Sequence, residues 1–100
     1  MPDLTVIYWR DMPAQVLAKQ GRQRVRKKLS DRFHHGIDRA AMRAKKIDAD
    51  AYLDDWRRET VKRSGDMESL VAEMARQLEA DFDDTRLERM IKNKGLEPDS

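Results

Sequence analysis

The sequence has no cysteine, few glycines and no long apolar run, and each shortage excludes a class of function. Without Cys among its 100 residues, the chain cannot form disulfides, thiolate zinc sites or iron–sulfur centres. No apolar stretch approaches the roughly 18 residues that cross a bilayer, and Met1-Pro2-Asp3 does not open a signal peptide. We therefore expect a cytoplasmic protein without membrane contact. Nucleotide hydrolysis is not expected either, because none of the four glycines lies in a phosphate-binding loop: Gly21, Gly36, Gly65 and Gly95.

Charge is abundant and unevenly distributed along the chain. Charged residues make up 40% and hydrophobic residues 39%, which predicts one small domain with a thin core over residues 1–96 and a frayed tail at 97–100. Residues 1–50 contain 12 Lys or Arg and 6 Asp or Glu, whereas residues 51–100 contain 9 and 13. This asymmetry favours either a basic binding surface or two halves that attract each other, and we expect the second.

The amino-terminal residues have the composition of strands. Residues 4–10 are rich in β-branched and aromatic side chains, and residues 15–19 follow a turn at 11–14. We predict a β-hairpin here. Because a two-stranded ribbon is marginally stable alone, it must pack on helices or gain strands from a partner chain, which leaves a homodimer open.

Helical periodicity begins at Ser30 and continues to the end of the domain. Apolar residues recur at steps of three and four, with Asp or Ser at each start as a cap. We predict four helices, which begin at Ser30, at Asp48 or Asp50, at Asp66, and at Asp83 or Asp84, with the second ending near Gly65. The fold class is therefore α+β, a hairpin followed by about four helices.

The two histidines are the only candidates for catalysis or metal binding by imidazole. His34 and His35 are adjacent on the first predicted helix, so they point about 100° apart and cannot share one metal ion. Each has an aspartate four residues away, Asp38 and Asp31, which predicts exposed ion pairs. We expect no metal, no cofactor and no catalytic residue, which favours a non-enzymatic protein and leaves an enzyme open as the alternative.

A basic segment over residues 19–28 contains six cationic side chains and no acid. Arg22, Arg24 and Arg26 are candidates for binding anions, including nucleic acid, and Tyr8 and Trp9 could stack on bases. We expect the segment instead to be neutralised by the acid-rich residues 79–84, so that oligonucleotides bind weakly.

The tryptophans lie in two different contexts. Trp56 shares a predicted helical face with Tyr52 and Leu53, which predicts a core position. Trp9 lies at a strand end beside Arg10 and Asp11, residue types that favour a binding hot spot, so we predict partial exposure and partner contact for Trp9, Arg10 and Asp11.

The same residues resemble a small bacterial family of virulence factor domains over about residues 4–58. The resemblance is carried by four segments, LTVIYWRDMPAQV at 4–16, LSDRF at 29–33, GIDRAAMRA at 36–44 and DAYLDDWR at 50–57. It implies a domain that occurs alone or beside helical repeats, in an accessory or adaptor role. It also implies that some stand-alone members accompany folate and corrinoid one-carbon enzymes, and it transfers no catalytic residue to this chain.

Three hypotheses follow from residues and resemblance together. The first is a non-catalytic accessory or adaptor module that binds a protein partner through Trp9, Arg10 and Asp11. The second is a subunit or small-ligand binder of folate or corrinoid one-carbon metabolism. The third is nucleic-acid binding through residues 19–28.

Overall fold

The computed structural model describes residues 1–45 and 52–97, which form an α+β domain. Within these residues, strands β1 (Asp3–Trp9), β2 (Met12–Gln20) and β3 (Gln23–Lys28) are followed by helix α1 (Asp31–Arg43). Strand β4 (Trp56–Lys62) and helices α2 (Met67–Asp81) and α3 (Asp84–Lys92) complete the order. The described residues contain no helix with the length and apolar character that a membrane span requires.

The strands form one antiparallel sheet in the order β3-β2-β1-β4. Strand β1 is central and pairs with β2 on one side and with β4 on the other, so that β3 and β4 are the edges. A register shift at Ile7/Tyr8 marks a bulge against β2. The predicted pair of strands is thus part of a larger sheet, which supplies the additional strands that a ribbon needs for stability.

The core lies between one face of this sheet and the helices. Alternate residues of β1 and β2 are buried in it because successive side chains of a strand point to opposite faces. They meet apolar residues of α1, α2 and α3, and the sheet residues of this core are Leu4, Val6, Trp9, Met12, Ala14, Val16 and Ala18. Helix α2 packs against β2 and β3, and α1 packs against α3.

The sequence prediction of secondary structure is wrong over residues 56–62 and misses a strand at residues 23–28. Residues 52 and 53 of the second predicted helix are helical, but strand β4 occupies residues 56–62, and the predicted start of this helix lies outside the described residues. Residues 23–28 form strand β3, where no strand was predicted. Both are edge strands whose residues are mostly exposed on both faces, so their polar composition hides the alternation that reveals a half-buried strand. The described residues therefore contain the three helices α1, α2 and α3, where about four helices were predicted.

Candidate functional site

Trp9 is a core residue, and its predicted exposure is wrong. Its side chain is 0% exposed, and its indole Nε1 donates a 3.0 Å hydrogen bond to the backbone oxygen of Tyr52. Its ring stacks on Tyr52 with the ring centroids 5.9 Å apart. Trp56, the predicted core anchor, is only partly buried and packs at the margin of the core. The burial expected of the two tryptophans is therefore reversed, since Trp9 is fully buried and Trp56 is only partly buried.

Arg10 and Asp11 form the turn between β1 and β2, and both hold other parts of the chain in place. The guanidinium of Arg10 donates to the backbone oxygen of Lys94 at 2.8 Å and lies 3.3 Å from Asp55 Oδ2. The carboxylate of Asp11 accepts a 2.8 Å hydrogen bond from the backbone N–H of Glu97. Glu97, expected in a frayed tail, is thereby attached to the domain, while residues 98–100 lie outside the described part. The polar groups of this turn are used within the chain.

The sheet face opposite the core carries a different set of side chains. Thr5, Ile7 and Leu17 alternate with core residues of β1 and β2, and they do not belong to the core cluster between sheet and helices. The hydroxyls of Thr5 and Thr60 lie 2.8 Å apart, so β4 presents Thr60 on this same face. We call this surface the basic face, because cationic residues of β2, β3 and β4 surround Thr5, Ile7 and Leu17 on it.

Six cationic residues share the basic face with one acid. Pairing between strands places Lys28 beside Gln15, Arg26 beside Leu17 and Arg24 beside Lys19. On the opposite edge Arg58 pairs with Ile7, and Lys62 pairs with the one acid of the face, Asp3. Since the whole chain has a net charge of only +2, positive charge is concentrated on this side of the domain. The six cationic residues are Lys19, Arg24, Arg26, Lys28, Arg58 and Lys62.

Most of these charges are not neutralised by other residues that the structure describes. Lys62 lies 3.8 Å from Asp3, but among the residues that the structure describes no carboxylate lies within 4.0 Å of Arg24, Arg26 or Lys28. The three side chains project from an exposed edge strand. A run of uncompensated cations held at strand spacing is a preformed surface for an anionic partner.

The predicted neutralisation of the basic segment by residues 79–84 is not found among the described residues. Glu79 instead pairs with Arg32 at 3.1 Å and accepts hydrogen bonds of 2.7 Å from the backbone and the hydroxyl of Ser30. Burial by itself would raise the pKa of Glu79, but the hydrogen bonds from Ser30 and Arg32 outweigh it and lower that pKa below 4.5. Asp84 also pairs with Arg32, at 3.4 Å. The acidic stretch thus stabilises the contact between α1 and α2 and leaves the basic face charged.

Of the predicted anion-binding residues, the structure brings two to the basic face. Arg24 and Arg26 lie on β3 with their side chains on that face, because Val25 between them packs toward the core. Arg22 lies in the turn before β3, at the end of the same surface. Sequence reasoning missed Lys28 as part of the set and did not place Arg58 there, because the pairing of β3 and β4 with the central strands was not predicted.

A notch lies at the Trp56 end of the basic face. Its cavity has a volume of about 320 Å³ and is lined by apolar, amide and guanidinium groups, namely Ile7, Gln15, Leu53, Trp56, Arg57 and Arg58. Leu53 is 62% exposed there, a large apolar side chain on an otherwise charged surface. The basic face therefore combines cations with one local apolar contact.

The two histidines do not form a metal-binding cluster or an ion pair with other described residues. His35 is exposed on α1, and the Nε2 atom of His34 is buried without a hydrogen-bond partner in the described part of the chain. The expected ion pairs with Asp31 and Asp38 are not found among residues 1–45 and 52–97. In the same ranges, no three His, Asp or Glu side chains come together as metal ligands would.

Comparison with known proteins gives one result that concerns the whole domain. Residues 7–91 match the model of a family described as virulence factor. Neither a search of curated proteins nor a search of solved structures found a significant match. The matched region runs from β1 to the last turn of α3 and thus includes nearly every element described above. The chain belongs to the virulence factor family.

Proposed function

We propose that this domain is a non-catalytic accessory module that binds an acidic surface of a protein partner through its basic face. The observation that carries the proposal is the row of Arg24, Arg26 and Lys28 on an exposed strand, without ion pairs among the described residues. Charge complementarity of this kind steers association and selects partners of opposite sign. The proposed partner-binding surface is therefore the basic face, in place of the turn beside Trp9 that the sequence predicts.

A protein partner suits this face better than a nucleic acid does. Proteins that bind single strands stack successive bases on several aromatic rings, but the described part of the basic face has one, Trp56. The aromatics expected to stack on bases do not reach it, since Trp9 is buried and Tyr8 lies under the guanidinium of Arg57, 4.5 Å from its ring centre. An apolar contact surrounded by charged side chains is the anatomy of a protein interface.

The side chains of the basic face also favour binding over catalysis. Its described polar residues are Lys, Arg, Thr, Gln and one Asp, so the face presents cations and amides in place of a nucleophile paired with a base. Such groups recognise carboxylates by charge and by bidentate hydrogen bonds, which arginine makes best.

The proposal is tested by charge reversal with a matched control. One variant carries Glu at positions 24, 26 and 28, and the control carries Glu at three exposed cations of the helical side, Arg76, Arg89 and Lys92. Both variants have the same net charge, so only the position of the change differs. Each is used to capture proteins from a lysate of the native host, with and without nuclease.

The expected result is an acidic protein captured in stoichiometric amounts by the unchanged domain and by the control, and lost with the β3 variant. Nuclease should leave the capture unchanged. If nuclease abolishes it, the basic face binds nucleic acid, and if both variants capture the partner equally, the basic face is not the interface.

A further inference from the structure

The notch on the basic face has a rigid apolar wall. Trp56 contacts Tyr52 edge-to-face, with ring centroids 5.8 Å apart and planes at 79°, and Tyr52 stacks in turn on the buried Trp9. This chain of three rings braces the partly buried Trp56 against the core. A side chain held in this way loses little conformational freedom on binding, which is the property of an interface anchor.

Cations lie on both sides of Ile7 and Gln15, two sheet residues that line the notch. Arg58 and Ile7 are paired, as are Ile7 with Gln15 and Gln15 with Lys28, so these four residues form one row across the four strands. At about 4.8 Å per strand, the row separates the backbones of Arg58 and Lys28 by about 14 Å. An apolar group in the notch would therefore have a cation within reach on each side.

We infer that the notch receives one large apolar side chain, Leu, Phe or Trp, from an acidic segment of the partner, with carboxylates on either side of it. In an extended segment, residues two positions apart lie on the same face about 6.7 Å apart. Carboxylates two residues before and two residues after the apolar side chain would then face Arg58 and the Lys28 edge. Burial of this apolar side chain against Trp56 and Leu53 supplies the affinity, and the cations supply the selectivity.

This inference rests on the proposed function and specifies which side chains the partner presents to the basic face. It also accounts for an exposed Leu53 beside a partly buried Trp56, the one place on the described basic face where apolar surface is offered to solvent. Charge reversal on β3 would remove binding of any acidic partner, whereas changes in the notch should remove only the preference for an apolar side chain.

The test is an NMR titration of the ¹⁵N-labelled domain with short synthetic peptides. One peptide has a central Phe with Glu two positions before and after it, a second has Ser in place of Phe, and a third has Gln in place of both Glu residues. An oligothymidylate is titrated in parallel. The indole signals are separate probes, because the Nε1 of Trp9 is hydrogen bonded to Tyr52 inside the domain, whereas Trp56 lines the notch.

The Phe peptide should shift the Trp56 indole and the Arg58 amide and bind at least about tenfold more tightly than the Ser and Gln peptides. Leu53→Ser should remove that preference without changing the fold, because Leu53 is mostly exposed. Leu96→Ser, which makes the same change at another exposed leucine, outside the notch lining, is the control and should retain the preference.

Three results would overturn the inference. Equal affinity of the Phe and Ser peptides, with shifts along β3, would leave the proposed function intact and remove the notch from it. No binding of any peptide would contradict both. Tighter binding of oligothymidylate, with stacking on Trp56, would assign the face to nucleic acid.

Discussion

Gly95→Ala tests how the carboxy-terminal segment is packed against the core. Gly95 follows α3 with φ of +87°, and a Cβ added there would lie 2.5 Å from Cζ3 and 3.0 Å from Cε3 of Trp9. The Trp9 ring is fully buried and hydrogen bonded, so it cannot move away without repacking the core. Alanine at positive φ costs about 1–2 kcal/mol, and overpacking a core adds about 1–3 kcal/mol. We expect a total loss of about 2–5 kcal/mol, a large part of the stability of a small domain.

Gly21→Ala is the matched control, because it shares the backbone effect without the contact. Gly21 has φ of +61°, and an added Cβ would meet no atom within 4 Å. Its loss should therefore be limited to about 1–2 kcal/mol. Urea unfolding followed by circular dichroism gives the free energy of unfolding of both variants. Equal losses would show that Gly95 does not pack against Trp9 and would refute the account of this contact.

Three further predictions concern stability and binding. Trp9→Ala should cost about 3–5 kcal/mol and Trp56→Ala about 1–2 kcal/mol, so their urea midpoints should differ clearly, and the reverse order would contradict the burial described here. Because the pKa of Glu79 is lowered in the folded state, its contribution to stability is present above about pH 4.5 and is lost as the pH falls through the folded pKa. Glu79→Gln should thus flatten the dependence of unfolding free energy on pH between about 3 and 6, and an unchanged curve would count against the Ser30 and Arg32 hydrogen bonds. Partner binding should weaken steeply as salt rises from about 0.05 to 0.5 M, since an exposed charged face is screened, and salt-independent affinity would argue for an apolar interface.

Helix starts were the most predictable part of the fold, because each has a local chemical cause. The side chains of Asp66 and Asp83, predicted as caps, accept hydrogen bonds from the backbone N–H groups of Ser69 and Arg86. Ser30 was also predicted as a cap, but its hydroxyl donates to Glu79 and makes no side-chain hydrogen bond to the helix it precedes. The start of α1 is thus held by a residue 49 positions away, which no local pattern reveals.

The edge strands β3 and β4 could not be predicted from the sequence, because their structure depends on pairing with other strands and not on a local chemical cause. Residues 56–62 and 23–28 become strands by pairing with β1 and β2, and their own side chains bury little surface. The helical periodicity assigned around Tyr52 and Trp56 was plausible over a few residues, yet Trp56 begins β4. The burial of Trp56 was argued from that helical face. The exposure of Trp9 was argued separately, from its strand end beside Arg10, and the residue that its indole bonds, Tyr52, is 43 positions away.

The candidate site was predictable in part. The run of basic residues at 19–28 is evident in the sequence, but a run alone does not say which side chains share a surface. Pairing with β2 places Arg24, Arg26 and Lys28 on one face, and pairing across β1 adds Arg58, which is distant from all three in the sequence. The sequence predicts that residues 79–84 neutralise the cations of residues 19–28. In the described residues Glu79 and Asp84 instead form ion pairs with Arg32.

Site-specific photocrosslinking in the native host tests the central claim most directly. A photoreactive amino acid is placed at position 26 on the basic face or at position 76 on the exposed side of α2. The account predicts a discrete covalent adduct with an acidic polypeptide from position 26 and none from position 76. An adduct with nucleic acid at position 26, or a polypeptide adduct only from position 76, would contradict it.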